Sequence, residues 1–463
     1  MRGRLRRYGS TFLVAALSGA FGTILVQGVG VLADLIAGDD IGERTSVQVA
    51  LALVSVVFFG IAIFVGGLVT SNTVSTVIAG QTRELALFRL IGSSAARLRV
   101  QIAVDGLVVG FLGAITGFVL GAALTAASVA VGIATDGIPD LDYVLISPAL
   151  GAPVVAVALV TWLAAWVGSR RVLDVTPVQA AAASVEPSRD ETRARPLRNG
   201  VAFALIGVGV LLLVAGIVLG VISMLGVLVG MLGGILSFTG IVLAAPVFMP
   251  PILGLVGRML GRRPTARIAA ANAVRNPARS ARTTIGLVIG ITLVTMFAVA
   301  AQNYFDVIER SREQYPADYG DSDRILLLTI GVFAVLFGFS ALIAAVGMVN
   351  NLSLSVMQRR RELGLLRALG FTKAQVRAMI LAESVQMTVA AVGFGLVLGI
   401  VYGWAGSQAL LGSILGGGFA LPGVPWLVLA ASAVAAAGLA TGASLVPARR
   451  ATRISPVEAL AVE

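Results

Sequence analysis

The chain of 463 residues is 57% hydrophobic and only 12% charged, against about a quarter charged in an ordinary soluble domain, so a water-soluble fold of this size could not coat itself. With no cysteine and no histidine, a disulfide framework, a thiol nucleophile, an imidazole base and the common zinc sites are excluded. The formal net charge of +11 is spread between apolar stretches instead of being gathered into a nucleic-acid patch, and no nucleic-acid partner is expected.

Taken in chain order, apolar segments long enough to cross a hydrocarbon core, about 20 residues each, lie at 11–33, 47–71, 103–128, 147–168, 201–221, 226–256, 284–304, 325–350, 379–404 and 425–447. Arg2, Arg4, Arg6 and Arg7 precede the first. That segment is as long as a span and lacks a small-residue cleavage site before its acidic loop, so it reads as a permanent helix and not a cleavable leader. Acidic residues occupy alternate loops: Asp34, Asp39, Asp40 and Glu43; then Asp136, Asp140 and Asp142; then Asp306, Glu309, Glu313, Asp318, Asp321 and Asp323. Basic residues occupy the others, with Arg258, Arg262, Arg263, Arg267, Arg275, Arg279 and Arg282 in one and Arg449, Arg450 and Arg453 after the last span. The positive-inside rule then predicts a multi-pass membrane protein with both termini in the cytoplasm, and arginine in place of lysine almost throughout hints at a bacterial cell membrane. The polar stretch Ser184–Asn199 reads as a cytoplasmic linker, and Trp426 fits an aromatic belt at the outer boundary.

An internal repeat organises these spans. QTRELALFRL, from Gln81 to Leu90, is answered by RRELGLLRALG at an offset of 278 residues, which aligns Arg83 with Arg361, Glu84 with Glu362, Leu87 with Leu365, Arg89 with Arg367 and Gly92 with Gly370. The same register pairs Asn72 with Asn350, Arg99 with Arg377, Asp105 with Glu383, Gly117 with Gly395 and Gly121 with Gly399. Farther on, SRRVLDVTPVQA parallels ARRATRISPVEA at an offset of 279. Both copies of the Arg-Glu-Leu loop are basic, so the repeats are parallel. The expected fold is all-α: about ten transmembrane helices, as two parallel four-helix repeats (residues 1–183 and 265–463) joined by a linker and a linking helix pair (184–264), with no separate soluble domain.

Each repeated loop reads as a helix, a glycine elbow and a second helix. In the second copy Gly370 can take the left-handed conformation that ends a helix, and Thr372 with Gln375 makes a capping box that starts the next. In the first copy Gly92 is the elbow and Ser94 the cap, with Arg97 in place of the glutamine. One such basic amphipathic loop could simply lie among lipid headgroups; two copies in one register suggest a surface shaped for a partner with two equivalent faces. Asp105 and Glu383 sit near the inner boundary, where a charge needs pairing or hydration, and Arg99 and Arg377 lie six residues earlier, which suggests structural ion pairs or hydrated anchors. Gly106, Gly110, Gly113, Gly117 and Gly121, and Gly395, Gly399 and Gly403, have the small-xxx-small spacing of close helix packing, with Asn72 and Asn350 as interhelical hydrogen-bonding groups.

The single lysine, Lys373, lies between Thr372 and Ala374. The Gly-Lys-Ser/Thr of a phosphate-binding loop is therefore missing, and any nucleotide site belongs to another polypeptide. RRRELGLLRALGFTKAQVRAMILAES (Arg359–Ser384), QTRELALFRLIGSSAARLRVQIAVD (Gln81–Asp105), ANAVRNPARSARTT (Ala271–Thr284) and SPVEAL (Ser455–Leu460) together resemble the FtsX-like, MacB- and LolC-type permeases of ABC transporters. The resemblance covers nearly the whole chain. It implies that this chain is not itself an enzyme, and that a cytoplasmic ATPase dimer carries ATP and magnesium and docks two copies on one permease chain. The docking elements implied are Arg83, Glu84, Leu87, Arg89 and Gly92 in one unit and Arg361, Glu362, Leu365, Arg367 and Gly370 in the other. The outer loops, about 34–46 and 305–324, are too short for the folded extracytoplasmic domain of many relatives. That difference favours a lipophilic or amphipathic substrate, such as a lipid, lipopeptide or peptide antibiotic, met within the membrane or at its outer face. A signalling protein that uses the same ATPase cycle to control an envelope partner is the second class. A secondary transporter is disfavoured by the scarcity of midplane ionisable residues.

Overall fold

A computed structural model describes residues 8–37, 45–80, 82–135, 138–141, 143, 148–174, 196–259, 271, 277–314, 331, 337–339, 341–342, 345–346, 365–413 and 419–451. They form α1 (Gly9–Ala37), α2 (Thr45–Gly80), the short α3 (Thr82–Leu90), α4 (Ala95–Ala134), α5 (Gly151–Gly168), α6 (Pro196–Ile222), α7 (Gly226–Met259), α8 (Pro277–Gln314), α9 (Lys373–Leu411) and α10 (Trp426–Ala451), with 3-10 turns at Pro148–Leu150 and Ser169–Asp174. Eight of these helices, all but α3 and α10, contain segments long and apolar enough to cross a membrane, and Trp426–Gly442 at the start of α10 is a shorter apolar one. The protein is an all-α polytopic membrane protein. Nine of the expected spans coincide with helices, and the span expected at 325–350 lies largely outside the described residues. The expected linker also gives up its last four residues to α6, which begins at Pro196. Proline suits the first helical position, where its missing N–H is not needed.

The helices that leave the elbows are longer than a membrane requires. The 40 residues of α4 and 39 of α9 correspond to about 60 Å of helix, twice a hydrocarbon core of about 30 Å. Each therefore runs unbroken from an elbow outside the hydrocarbon through the membrane.

Packing inside the bilayer cannot rely on burying apolar surface from water, so close backbone approach takes its place. The glycine stripe of α4 lies on α1: a β-carbon at Gly117 would fall on the carbonyl of Ala16, and one at Gly121 would stand 2.8 Å from the carbonyl of Ala20. The equivalent stripe of α9 lies on α8, with Gly395 against Ile291, Gly399 against Thr295 and Gly403 against Met296. The linking helices α6 and α7 form a hairpin zipped by small residues, Gly209 on Ser237 and Gly216 on Gly230, and its far end presses Gly220 onto Ala409 of α9.

The two units interlock at their centre. Phe58 of α2 stacks on Phe297 of α8 with ring centroids 5.4 Å apart, and Phe339, in the second unit, packs on Phe21 of α1 at 5.6 Å. Each unit thus lends an aromatic ring to the first helix of the other, Phe58 at a core of Val14, Val65, Val69, Phe238, Ile289, Leu293 and Phe297 and Phe339 at a smaller one of Phe21, Leu25 and Ala62. The apolar stretch of α8 is accordingly 83% buried and that of α6 only 17%, which makes α8 central and α6 peripheral.

Candidate functional site

The two elbows are built alike. In the first, α3 turns Leu85 and Ala86 inward onto Val74 and Ile78 of α2, Leu98 and Ile102 of α4, and Val172. The helix ends with Gly92 at φ 99°. The Gly92 amide donates to the Arg89 carbonyl at 3.2 Å and the Ser93 amide to the Phe88 carbonyl at 2.9 Å, the paired bonds of a Schellman motif. Ser94 then caps α4, its Oγ accepting from the Arg97 amide at 3.2 Å.

In the second elbow Gly370 has φ 98°. Its amide donates to the Arg367 carbonyl at 3.1 Å, and the Phe371 amide donates to the Leu366 carbonyl at 3.1 Å. Phe371 and Leu366 also pack together against Val376, Met379 and Ile380, the apolar contact that accompanies this motif. The capping box is complete: Thr372 Oγ1 accepts from the Gln375 amide at 3.2 Å, and the Thr372 amide donates to Gln375 Oε1 at 2.9 Å. Replacing Thr372 with alanine is expected to cost about 1 kcal/mol, read as a lowered midpoint of thermal unfolding in detergent, with Ser in its place restoring most of it.

Equivalence extends to what each elbow shows the surroundings. Leu87 is 50% exposed and Leu365 51%; Ile91 is 79% exposed and Leu369 71%. Spaced four apart, each pair stands on one face of its turn, so both elbows offer the same two-residue apolar crest. Arg89 and Arg367 flank the crests, each partly exposed. The first crest is extended by Phe88 at 40% and Leu90 at 56% exposed. Phe88, Leu90, Ile91 and Leu369 are not among the docking residues that the resemblance implies; in the first elbow Leu87 and Ile91 lie on the side of the turn opposite Leu85 and Ala86, and an apolar residue on that side was the signal for Ile91. The side chains of Arg83 and Glu84, and residues Arg361 and Glu362, lie outside the described residues.

Asp105 and Glu383 are both buried, at 9% and 6% exposed. Arg99 does not pair with Asp105, because a separation of six residues turns a helix by about 600° and leaves the two some 120° apart around its axis. It reaches instead to the end of α5. Its guanidinium sits 4.3 Å over the Trp166 ring, Nη2 donates to the Trp166 carbonyl at 3.4 Å, and Nε donates to Ser169 Oγ at 3.4 Å. A cation at a helix C-terminus and over an aromatic face is stabilising twice over. Arg99→Ala is expected to cost about 1–2 kcal/mol of stability, and Arg99→Lys to recover only part of it, since lysine lacks the planar fork. Asn350 lies outside the described residues.

Among the described residues no three acidic side chains gather as a metal site. What the geometry offers is mechanical: two matched apolar crests, each continuous with a long membrane helix.

Comparison with known proteins agrees with this architecture. The family described as FtsX-like permease C-terminal matches twice, over residues 56–177 and 334–456, just over half of the chain. The two matches begin 278 and end 279 residues apart, the offsets of the internal repeat. Over 151 residues the chain is 31% identical to an uncharacterized ABC transporter permease, YknZ, of Bacillus subtilis, covering 33% of this chain and 35% of that one. It is 36% identical over 123 residues to the macrolide export ATP-binding/permease protein MacB of Chlorobium phaeobacteroides, covering 25% of this chain and 16% of that one. It is 34% identical over 140 residues to the pyoverdine export ATP-binding/permease protein PvdT of Pseudomonas syringae, covering 30% and 19%. The matched region thus spans a third or less of this chain and about a third, a sixth and a fifth of those relatives. With two family matches in the register of the repeat, each enclosing one elbow and the helix that leaves it, the chain belongs to the FtsX-like permease family.

Proposed function

We propose that this chain is the permease subunit of an ATP-binding-cassette transporter, driven by a separate cytoplasmic ATPase and acting on a lipophilic or amphipathic substrate such as a lipid, lipopeptide or peptide antibiotic. The observation that carries the reading is the duplication of the elbow, with crests of equal exposure and glycines within a degree of each other in φ. A partner with two equivalent faces calls for two equivalent contacts. An ATPase dimer is such a partner, each subunit holding its own ATP and magnesium and meeting one elbow.

Both elbows then face the cytoplasm, as the basic loops require, and the termini lie on the same side. Names of relatives that pair an ATP-binding part with a permease part, MacB and PvdT, support coupling to ATP hydrolysis and, through the word export, an outward direction. The short loops between spans favour a substrate taken from the membrane or its outer face.

The test is reconstitution of the chain with its ATPase in lipid vesicles, following ATP hydrolysis and the movement of a fluorescent phospholipid and a fluorescent lipopeptide in the same sample. ATP-dependent movement of either probe is expected. Hydrolysis that the permease stimulates without moving either probe would overturn the transport half of the proposal, and leave ATPase-driven signalling.

A further inference from the structure

At the end of α9 remote from its elbow, Phe419 to Pro425 follow an irregular path into α10, and side chains from inside the bundle hold them. The Ala420 amide donates to Gln408 Oε1 at 3.0 Å, and the Ala420 carbonyl accepts from Trp404 Nε1 at 2.7 Å. The Gly423 amide donates to Asn303 Oδ1 of α8 at 2.6 Å, and Asn303 Nδ2 donates in turn to Ser407 Oγ of α9 at 2.7 Å. Gln408, Asn303 and Ser407 are all buried. A β-carbon at Gly423 would fall on the Asp306 carboxylate, so glycine is what lets the backbone come this close. Pro422 and Pro425 have no amide hydrogen to satisfy, and the Trp426 amide donates to the Val424 carbonyl at 2.9 Å. From Ala420 to Trp426, five of the seven backbone nitrogens are therefore either paired or without a proton.

Held in this way, the strap turns large apolar side chains outward. Phe419 is 66% exposed, Leu421 88%, Trp426 72% and Leu427 84%. They continue an exposed apolar face of α10 that carries Val428, Val434 and Leu439. The sequence has no charged residue between Glu383 and Arg449, so the whole hairpin of two membrane helices and its loop is uncharged. The corresponding loop of the first unit, between α4 and α5, carries Asp136, Asp140 and Asp142. Two rulers give the depth of the strap. Trp404 and Gln408 lie about 30–40 Å along α9 from Glu383, and Trp426 lies about 35 Å along α10 from Arg449. Both lengths reach just beyond a hydrocarbon core of about 30 Å, which puts the strap at the boundary away from the elbows.

We propose that Phe419–Leu427 is seated in lipid, with Phe419, Leu421, Trp426 and Leu427 inserted at the acyl–headgroup boundary of the leaflet opposite the elbows, whereas the aspartate-bearing loop of the first unit stands in water. Irregular backbone can enter a bilayer only where protein supplies its hydrogen bonds, and here buried side chains and two prolines do so. A loop in water would need neither. Tryptophan, with an apolar ring and one N–H, favours this depth. Phospholipid is the occupant because the surface is continuous with the membrane-spanning stretch of α10 and has no charge with which to orient a soluble partner. Naming the leaflet as the outer one rests on the orientation proposed above; the seating in lipid does not.

Because the sequence has no cysteine, nitroxide labels can be placed without first removing any. Leu421→Cys, Leu427→Cys and, in the first unit's loop, Leu141→Cys all replace exposed side chains, and each labelled chain is reconstituted alone in vesicles of zwitterionic phospholipid. Power saturation then compares collisions with molecular oxygen, which concentrates among acyl chains, and with a water-soluble nickel chelate. The oxygen-to-nickel ratio should be several times higher at 421 and 427 than at 141. A ratio at either of the two no higher than at 141 would overturn the proposal. So would protection of both from both reagents, which would mean a protein cover such as a second copy of the chain. Gln408→Ala removes one hold on the strap and should sharpen the spectrum of the label at 421; an unchanged spectrum would contradict the holding role given to that side chain. Should this variant fail to fold, the collision comparison decides alone, and no outcome depends on an ATPase or on transport.

Discussion

Gly117→Leu is expected to leave little or no folded protein, measured as loss of the monodisperse peak in detergent chromatography. A side chain there meets the Ala16 carbonyl and, 2.6 Å away, the Ala20 amide nitrogen. These are backbone atoms of a facing helix, which no rotamer change can move aside. Overpacking costs about 1–3 kcal/mol when side chains can adjust, and here the helices themselves must separate. Against a total stability of about 5–15 kcal/mol, separation of α1 from α4 along the rest of their shared face is disabling. Gly399→Leu on α9 should behave alike, since its β-carbon falls on Thr295 and lies 2.8 Å from the Thr292 carbonyl. Gly207→Leu is the control: nothing stands within 4 Å of it, and its variant should purify as the natural chain does.

The second large effect concerns recognition and leaves the fold intact. Leu87→Glu with Ile91→Glu in one elbow, and Leu365→Glu with Leu369→Glu in the other, change side chains that are at least half exposed, so thermal stability should move little. If the crests are seated in pockets of an ATPase dimer, each elbow contributes as an interface hot spot, about 2 kcal/mol or more. Losing one then weakens association by roughly thirtyfold, and losing both abolishes it at micromolar concentrations. The prediction separates a docking crest from an apolar loop resting among lipid headgroups: in that case the four glutamates would leave ATPase association untouched.

How much of this was legible in the sequence depended on whether the chemistry was local. Gly92, Gly370, Ser94 and the Thr372–Gln375 box announced the elbows because helix termination and capping involve residues within five positions of each other, and the structure forms each of those bonds. Membrane spans were legible from hydropathy alone, since length and apolarity are what a bilayer selects. The packing of those spans was less legible. In a helix that is apolar all round no amphipathic face marks the buried side, and only the glycines carried a directional signal: Gly117 and Gly399 were readable as contact points, but not their partners. The reach of Arg99 to Trp166 and Ser169 crosses 67 to 70 positions, and proximity along the chain pointed to Asp105 instead. The seat of the α6–α7 hairpin on α9 depends on Gly220, Ala409, Ser237 and Tyr402 meeting across the fold, and none of these repeats in the first unit.

The central claim, that two equivalent elbows couple this permease to an ATPase, is tested most directly by charge reversal in the repeated motif. Natural chain, Glu84→Lys, Glu362→Lys and the double variant would each be co-expressed with the ATPase and extracted gently, and the ATPase bound per permease chain measured. Two ATPase chains on the natural protein, weaker association for each single variant and none for the double variant are the results predicted. Undiminished association in the double variant, or no ATPase bound to the natural chain at all, would contradict it.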